Sequence, residues 1–596
     1  MTPTIEQKLT AIRQQMAAAN LDAFIVPRAD EYLGEYVPEH NQRLLWCSDF
    51  TGSAGTVIIL KDSAAIFTDG RYTIQVKQQV NAEFFEFYHL IETPHMAWLS
   101  EQLGANANVG FDAKVHNLNW YNDSLATLTE KQIKLVAVAQ NPIDLSWADR
   151  PLPTQNSGLL LAQKYTGLSS LEKRQQIGAA IAAQGADAAI ISALDSIAWL
   201  LNIRGKDIHC FCVILGSAVL LKDGSMTFFT DPEKMPTGFA EHAGAGVSIV
   251  AEAESTATYQ ALGKQGLTVL ADPETANAFC QLTAQAAGAT LIPGIDPVAI
   301  PKACKNSTEL AGMQQAHLRD GASEVRFLAW LEAEVAKGNL YDEAYLADTL
   351  SDFRASNDNY IELSFDSISA AGSNAAMCHY NHLNGIPATL PMDSIYLLDS
   401  GAQYLDGTTD ITRTVAIGTP SAEHKKMFTL VLKGHIALAQ MKFPAGTNGG
   451  QLDALARQFL WQQGYDYDHG TGHGVGCFLN VHEGPQRIAK NSNAVPLSPG
   501  MVVSNEPGYY KQGDYGIRCE NLIYVVAKGN GHDGKTFYEF ETLTLVPFDL
   551  RLIEQSLLTK DEVNWINRYH IQVQAKIAPL LTGSDLVWLT QATQAL

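Results

Sequence analysis

Two aspartates, Asp399 and Asp410, sit in a stretch otherwise built for a β-hairpin. Ile395 to Val415 reads IYLLDSGAQYLDGTTDITRTV, with apolar and β-branched residues on both arms and Tyr404-Leu405-Asp406-Gly407 as the turn. A reversal near Tyr404–Leu405 sets the two aspartates directly opposite each other, on one face of a two-stranded ribbon. Opposed acids among Leu, Ile and Val repel unless a divalent cation neutralises them. Downstream follow His469-Gly-Thr-Gly-His473, His482-Glu-Gly-Pro485, Asn505-Glu506-Pro-Gly508 and Arg518-Cys-Glu520. Taken singly each is bland: a solvated acid, or a glycine-rich turn. Together Asp399, Asp410, His473, Glu506 and Glu520 supply four carboxylates and one imidazole. That set is near neutral against two divalent cations. Oxygen-rich with one nitrogen, it suits Mn²⁺, and less selectively Co²⁺ or Zn²⁺. Two such ions about 3.5–4 Å apart acidify a shared water, which is the chemistry of metal-assisted hydrolysis.

The elements that must position these residues lie late in the chain. From Ser307 the sequence turns helical, with Ser307-Thr-Glu-Leu as a capped start and apolar residues recurring through Glu334. A strand at Ile368–Ala371, the hairpin, and helices near Ala422–Met441 and Gln451–Gln463 follow. The last strands carry Glu506 and Glu520, and Leu558–Leu581 predicts one amphipathic helix for packing or subunit contact. Ahead of this region, helix and strand patterns alternate, which predicts α/β layers. Ile5–Ala19 has helical spacing; Asp22–Val26, Gly55–Leu60 and Ala64–Phe67 are strand-like. The pattern returns with a helix at Gly167–Ala183 and a strand at Asp187–Ser192. Leu21-Asp-Ala-Phe-Ile-Val26 matches Ala186-Asp-Ala-Ala-Ile-Ile191, pointing to a duplicated domain. The proline-bearing Asn141–Gly158 reads as a linker, and a second proline-rich shift spans Pro293–Lys305.

With 596 residues the chain needs two to four domains. Its 46% apolar and 17% charged residues are those of a well-packed globular protein. A net charge of −22 opposes phosphate backbones and anionic membranes, so no nucleic acid or membrane partner is expected. The N-terminus lacks the apolar run of a signal peptide, and no apolar stretch approaches the ~18 residues of a membrane span. The eight cysteines make no CxxC pair and suit reduced, buried thiols, so a cytoplasmic location is expected.

At this point the chain resembles the M24 "pita-bread" metallopeptidases, most closely the long, three-domain Xaa-Pro aminopeptidases (aminopeptidase P). The resemblance rests on Ser48-Asp-Phe-Thr-Gly-Ser-Ala-Gly55, Thr68-Asp-Gly-Arg71, Trp147-x-x-Arg150-Pro151, Ala376-Met-Cys-His379-Tyr380, the five ligand motifs in order, and Asn567-Arg-Tyr569-His570. It implies two creatinase-like α/β domains, 1–150 and 151–305, and a catalytic pita-bread domain, 306–596, in an α/β (α+β) chain. It implies that Asp410 and Glu520 bridge two metal ions, that Asp399 ligates one, and that His473 and Glu506 ligate the other. It also places His379, His469 and His482 along the substrate site, Glu506 as a proton carrier, and Arg518 as a residue holding a ligand carboxylate. A turn or supporting role remains the rival for His469, and core packing for His379. The implied reaction is hydrolysis of the first bond of peptides with proline second, by a homodimer. A prolidase of the same fold is the alternative, although about 305 residues before the catalytic region leave room for two domains rather than one. A non-enzymatic peptide-binding module is the other, and it should lack the ligands. Two departures stand out: Gly205-Lys-Asp-Ile-His209-Cys-Phe-Cys212 lacks a proline, and Cys519 replaces a branched aliphatic. The latter predicts a thiol sensitive to oxidation or soft metals.

Overall fold

The computed structural model describes residues 3–491 and 493–596. The chain divides into two compact units. One takes the chain up to Leu161 and Leu168–Ala299; the other takes Ala162–Gly167 and Ile300–Leu596.

The first unit holds two six-stranded sheets with helices. The first sheet runs Glu86–His89, Ala64–Thr68, Thr56–Leu60, Ala23–Pro27, Asn108–Phe111, Lys134–Ala137. The second runs Val247–Val250, Met226–Phe229, Ser217–Leu221, Ala188–Ile191, Thr268–Ala271, Thr290–Pro293. In each, the central strand is antiparallel to one neighbour and parallel to the other. Identical strand order and sense make the duplication a structural fact. The matching aspartates repeat it in chemistry. Asp22 accepts a bond from the Asn108 amide at 2.7 Å and pairs with Lys61, while Asp187 accepts one from Thr268 at 3.0 Å and pairs with Lys222.

The proline-bearing linker is shorter than its composition indicates. Residues 142–146 form a helix capped by Asn141, Ile143 is buried in the first core, and Trp147 stacks on Trp46 at 5.6 Å. Asp144 ties this helix down through Arg43 at 2.7 Å and Arg150 at 2.8 Å. After that helix, 147–158 lies in neither helix nor strand. The proline-free loop from Gly205 is held without that ring: Asp207 is buried and takes Lys234 at 2.7 Å and the Leu215 amide at 2.8 Å.

The second unit is built on the 30-residue helix Ser307–Ala336. Its cap is Asn306 rather than Ser307. The Asn306 side chain accepts from the Thr308 and Glu309 amides at 2.9 and 3.0 Å, and Glu309 reaches back to the Asn306 amide at 3.0 Å. Helices Ala422–Ala439 and Gly450–Trp461 pack against a six-stranded sheet, and Glu343–Ala355 packs on the strands Tyr360–Leu363 and Ile368–Ala371. That sheet runs Lys442–Pro444, Thr536–Thr542, Asn521–Asn530, Val502–Asn505, Gly472–Gly474, Glu483–Ile488. The hairpin arms Ser394–Ser400 and Ile411–Ile417 form a smaller sheet with Ile368–Ala371. Their apolar side chains share one core with the long helix and the C-terminal helix. The tail is two helices, not one. Lys560–Ile577 ends in a short 3₁₀ turn, and Gly583, at φ 57°, starts a second over Gly583–Ala592. Among the described residues no helix is long and apolar enough to cross a membrane.

Asn306 is the sole side-chain cap of the longest helix, so Asn306→Ala should cost about 1 kcal/mol and Asn306→Asp far less. The midpoint of urea unfolding of the second unit reads this; equal midpoints for the alanine variant and the parent would contradict it.

Candidate metal centre

Three of the five proposed ligands leave the six-stranded sheet at one end. His473 is the middle residue of Gly472–Gly474, Glu506 follows Val502–Asn505, and Glu520 precedes Asn521–Asn530. Asn505 pairs with Asn521, so Glu506 and Glu520 emerge side by side as the next residues of two paired strands. The Glu506 amide donates to the Thr471 carbonyl at 2.8 Å, which keeps the glycine-rich segment alongside. The glycines matter by contact: a Cβ at Gly472 would lie 2.0 Å from the Ser504 carbonyl oxygen.

The hairpin brings the aspartates to the same end, with a register different from the one read above. Asp399 pairs with Thr412, not Asp410, and Tyr404 pairs with Gly407, so the turn is Leu405–Asp406. The corner falls one residue late because Arg319 of the long helix holds Asp406, and Gly407 is pressed onto Met313 and Ala316. Asp410 lies two residues before Thr412, on the same face, so the aspartates are diagonal neighbours rather than opposed. Glu520 is tied to this arm: its amide donates to the Thr412 carbonyl at 3.3 Å, and the Thr412 hydroxyl donates to its carboxylate at 2.7 Å.

Asp410, His473 and Glu520 bring one donor atom each to within 4.8 Å of one another. Glu506 joins through His473, whose Nε2 lies 3.5 Å from both Glu506 and Asp410. The His473 Nδ1 sits 2.9 Å from the Gly474 carbonyl, which only accepts, so Nδ1 carries the proton and Nε2 turns its lone pair to the carboxylates. A lone pair facing two anions is repulsive, and a cation between them removes the repulsion. The buried Asp399 Oδ1 likewise meets no hydrogen-bond donor among the described residues. Asp410 and Glu520 are 4% and 1% exposed. Burial, then repulsion from the other acids, raises the proton affinity of both well above the carboxyl range, against His482 and Arg518 at Asp410 and Arg518 at Glu520. Glu506 is pushed up to about 7, first by burial, with Asp399 adding to it and Arg518 opposing. These donors fit one or more divalent cations with oxygen-rich ligation.

Arg518 organises the near side. It donates to Asp399 at 2.5 Å, to the Thr412 hydroxyl at 3.0 Å, to the Tyr510 hydroxyl at 2.6 Å and to the Cys378 carbonyl at 3.2 Å. The Tyr510 hydroxyl, accepting from Arg518, keeps its own proton for His469 Nε2 at 2.8 Å. His469 Nδ1 meets the Gly470 carbonyl at 2.7 Å and lies 3.8 Å from Glu506. His482 stands edge-on to His473, ring centroids 4.3 Å apart. His379 is half-buried, between Cys378 and Tyr380.

The chain's comparisons with known proteins agree with this geometry. Residues 311–527 match the model of metallopeptidase family M24 and 536–596 the C-terminal region of peptidase M24. Residues 8–141 and 149–309 each match the creatinase/prolidase N-terminal domain. Aminopeptidase P2 of Arabidopsis thaliana is 38% identical over 634 residues, covering 99% of this chain and 89% of that protein. The chain belongs to metallopeptidase family M24. Another relative, Xaa-Pro aminopeptidase 1 of Dictyostelium discoideum, is 38% identical over 596 residues, 98% of this chain and 94% of its own. Among solved structures, X-prolyl aminopeptidase from Caenorhabditis elegans, described as a cytosolic enzyme with a di-nuclear active site, matches with TM-score 0.95 and 34% identity over 100% of both chains.

This M24 chain also holds supporting residues that motif reading passed over. Each proposed substrate histidine is backed by a buried ionic group. Behind His379, Glu343 accepts from the Tyr380 hydroxyl at 2.7 Å and from the Ala371 and Ala388 amides at 2.7 and 2.8 Å. Behind His469, Arg457 pairs with Asp453 at 2.7 Å and donates to the His469 carbonyl at 2.8 Å, while Asp453 takes the Thr471 hydroxyl at 2.6 Å. Beside His482, Glu483 meets Lys302 at 3.0 Å and also pairs with Lys305. Only Asp453–Arg457 had a sequence signal, an i,i+4 pair on the inner helix face. Cys519 is a correction. It is 1% exposed and burial pushes its thiol up to about 12, so it is an inert core residue rather than a reactive one.

The raised acids set a pH signature. Stripped of metal, the folded protein holds protons that the unfolded chain has released, so stability falls as pH rises from the unfolded carboxyl range of about 4 toward and beyond 7. Thermal melts should drop between about pH 5.5 and 8 in chelator, and Mn²⁺ should flatten that fall. A melting temperature rising across this window in chelator would contradict the assignment.

Proposed function

We propose that this chain is a metalloaminopeptidase that hydrolyses the first peptide bond of peptides with proline at the second position. The convergence of Asp410, His473 and Glu520 at the sheet end, with Glu506 and Asp399 beside them, carries the reading. Full-length likeness to proteins named Xaa-Pro aminopeptidases supports the choice of bond. Asp399 would hold one metal ion, His473 and Glu506 a second, and Asp410 and Glu520 both, with Mn²⁺ preferred over Co²⁺ or Zn²⁺. Two divalent ions supply acidification of a water and polarisation of the scissile carbonyl.

The chain's own residues do the rest. Glu506, beside His473 and His469, takes the proton of the attacking water and passes it to the leaving nitrogen. That nitrogen belongs to proline and carries no N–H before cleavage, so the product is a secondary amine that must gain this proton. His482, beside His473, and His379 orient the carbonyl and stabilise the charge that develops on its oxygen. His469 holds Tyr510 in place, because its two ring nitrogens are taken by the Gly470 carbonyl and the Tyr510 hydroxyl. Domains at 1–150, 151–305 and 306–596, a homodimer and a cytoplasmic location complete the proposal.

Turnover of an Xaa-Pro-Yaa series against the matching Xaa-Pro dipeptides tests it. Cleavage of the longer peptides is expected, and activity confined to dipeptides would make the protein a prolidase. Asp410→Asn should leave less than about 1% of kcat, the size of effect seen when a charged group of the reacting site is removed. Metal analysis should give two Mn²⁺ per chain for the parent; substantial turnover by the variant would overturn the two-metal assignment.

A further inference from the structure

Arg413 is a buried charge that the scheme above leaves without a task. It is 1% exposed, and among the described residues its guanidinium meets no carboxylate. Along the hairpin arm side chains alternate, so Asp410 and Thr412 face the ligands while Arg413 points to the far side. There the guanidinium donates to backbone carbonyls of Glu520 at 2.6 Å, Thr412 at 2.9 Å, Val546 at 2.6 Å and Pro547 at 3.2 Å. It also reaches the Asn521 side chain at 2.8 Å and the Tyr569 hydroxyl at 3.0 Å, and it lies over the Phe548 ring at 4.2 Å.

These partners come from three separate segments: the strand that follows Asp410, the turn that carries Glu520, and the stretch 544–548. Tyr569, on helix Lys560–Ile577, closes the group. Its hydroxyl lies 2.8 Å from the Val546 carbonyl and 3.1 Å from that of Thr544, and the next residue, His570, accepts the Phe548 amide at 3.1 Å. A guanidinium is a rigid planar fork, so holding the Glu520 carbonyl and the Val546 carbonyl at once fixes where Glu520 stands relative to its own strand. Glu520 is thereby set against this arm, through its amide and carboxylate to Thr412 and through its carbonyl to Arg413. The Asp410–Glu520 separation follows from that.

We propose that Arg413 and Tyr569 are positioning residues of the metal centre, fixing the spacing of its two bridging carboxylates, so that the C-terminal helix is part of the centre and not only packing. This rests on the two-metal reading given above. Groups that orient ligands from behind change metal affinity by about 10–100-fold when altered. Tyr569→Phe keeps the ring, stacked on Trp565 at 5.4 Å, and removes one hydroxyl. Lys433→Met is the control, since Lys433 docks the same helix through Glu562 at 2.7 Å and touches no ligand strand. Metal-stripped full-length protein is titrated with Mn²⁺ by calorimetry, well below the melting temperatures of all variants. The parent should bind two ions. Tyr569→Phe should bind them about tenfold more weakly, with an altered EPR spectrum of the coupled Mn²⁺ pair and a lowered kcat at unchanged KM. Lys433→Met should lower the melting temperature without moving Mn²⁺ affinity, and Arg413→Lys, if it folds, should behave like Tyr569→Phe. Parent-like affinity and EPR in Tyr569→Phe would overturn the proposal, as would an equal loss in Lys433→Met. A parent binding fewer than two ions would instead overturn the two-metal reading.

Discussion

Four carboxylates at one buried end of a β-sheet repel each other, and the second unit is arranged around that repulsion. Two unit charges 4 Å apart cost about 4 kcal/mol at the effective dielectric of a protein interior. Arg518 answers part of it. One guanidinium reaches Asp399 directly and Glu520 through the Thr412 hydroxyl, and its charge acts on Asp410 and Glu506. One positive charge cannot balance four negative ones. The remaining deficit, with the His473 lone pair turned into it, is what a divalent cation fits. The same deficit appears as proton affinity when no cation is bound, which is why Asp410, Glu506 and Glu520 shift upward together.

Such a site works only if its donors keep their spacing, and strand register supplies that. Asn505–Asn521, Ser504 against the His473 amide, and Thr412 against Glu520 are fixed pairings, so one register slip would move every donor to the wrong face. The histidines are less constrained by sheet pairing, since His379 and His482 lie in loops and His469 in a glycine-rich segment. There the register is replaced by buried ions: Glu343, Asp453–Arg457 and Glu483 with Lys302 and Lys305. Glu343 and the Asp453–Arg457 pair gather several backbone or hydroxyl groups on rigid planar groups, and Glu483 gathers two ammonium groups. Apolar packing would fill the same volume without setting direction.

What the sequence made legible follows from what it encodes locally. Acid and imidazole types with glycine beside them are local, so all five candidate ligands and three candidate histidines could be named before any fold was known. The duplicated domain was legible because Leu21–Val26 and Ala186–Ile191 each open a central strand with the same aspartate. Register was not local. Whether Asp399 opposes Asp410 or Thr412 depends on where Arg319, about 90 residues away in the chain, holds Asp406. The cap at Asn306 was missed because Ser307 is an equally common cap residue, although only Asn306 has a glutamate, Glu309, three residues on. Arg413, Tyr510 and Glu343 were missed for one common reason: a buried charge or hydroxyl with partners remote in sequence looks like a surface residue until those partners are known.

The choice of ions for these supports has a consequence for how the site fails. A buried ion pair adds little net stability over an apolar replacement, yet removing one partner leaves a bare charge and costs about 3–5 kcal/mol. Arg457 with Asp453, and Glu483 with Lys302 and Lys305, are therefore poor candidates for gradual change: each pair is either complete or strongly destabilising. The metal ligands differ. Without a cation, part of their charge is met by protons, as the raised affinities of Asp410, Glu506 and Glu520 show. A wall held by directional buried bonds keeps the candidate donors at their spacing, which is what an oxygen-rich cation site requires.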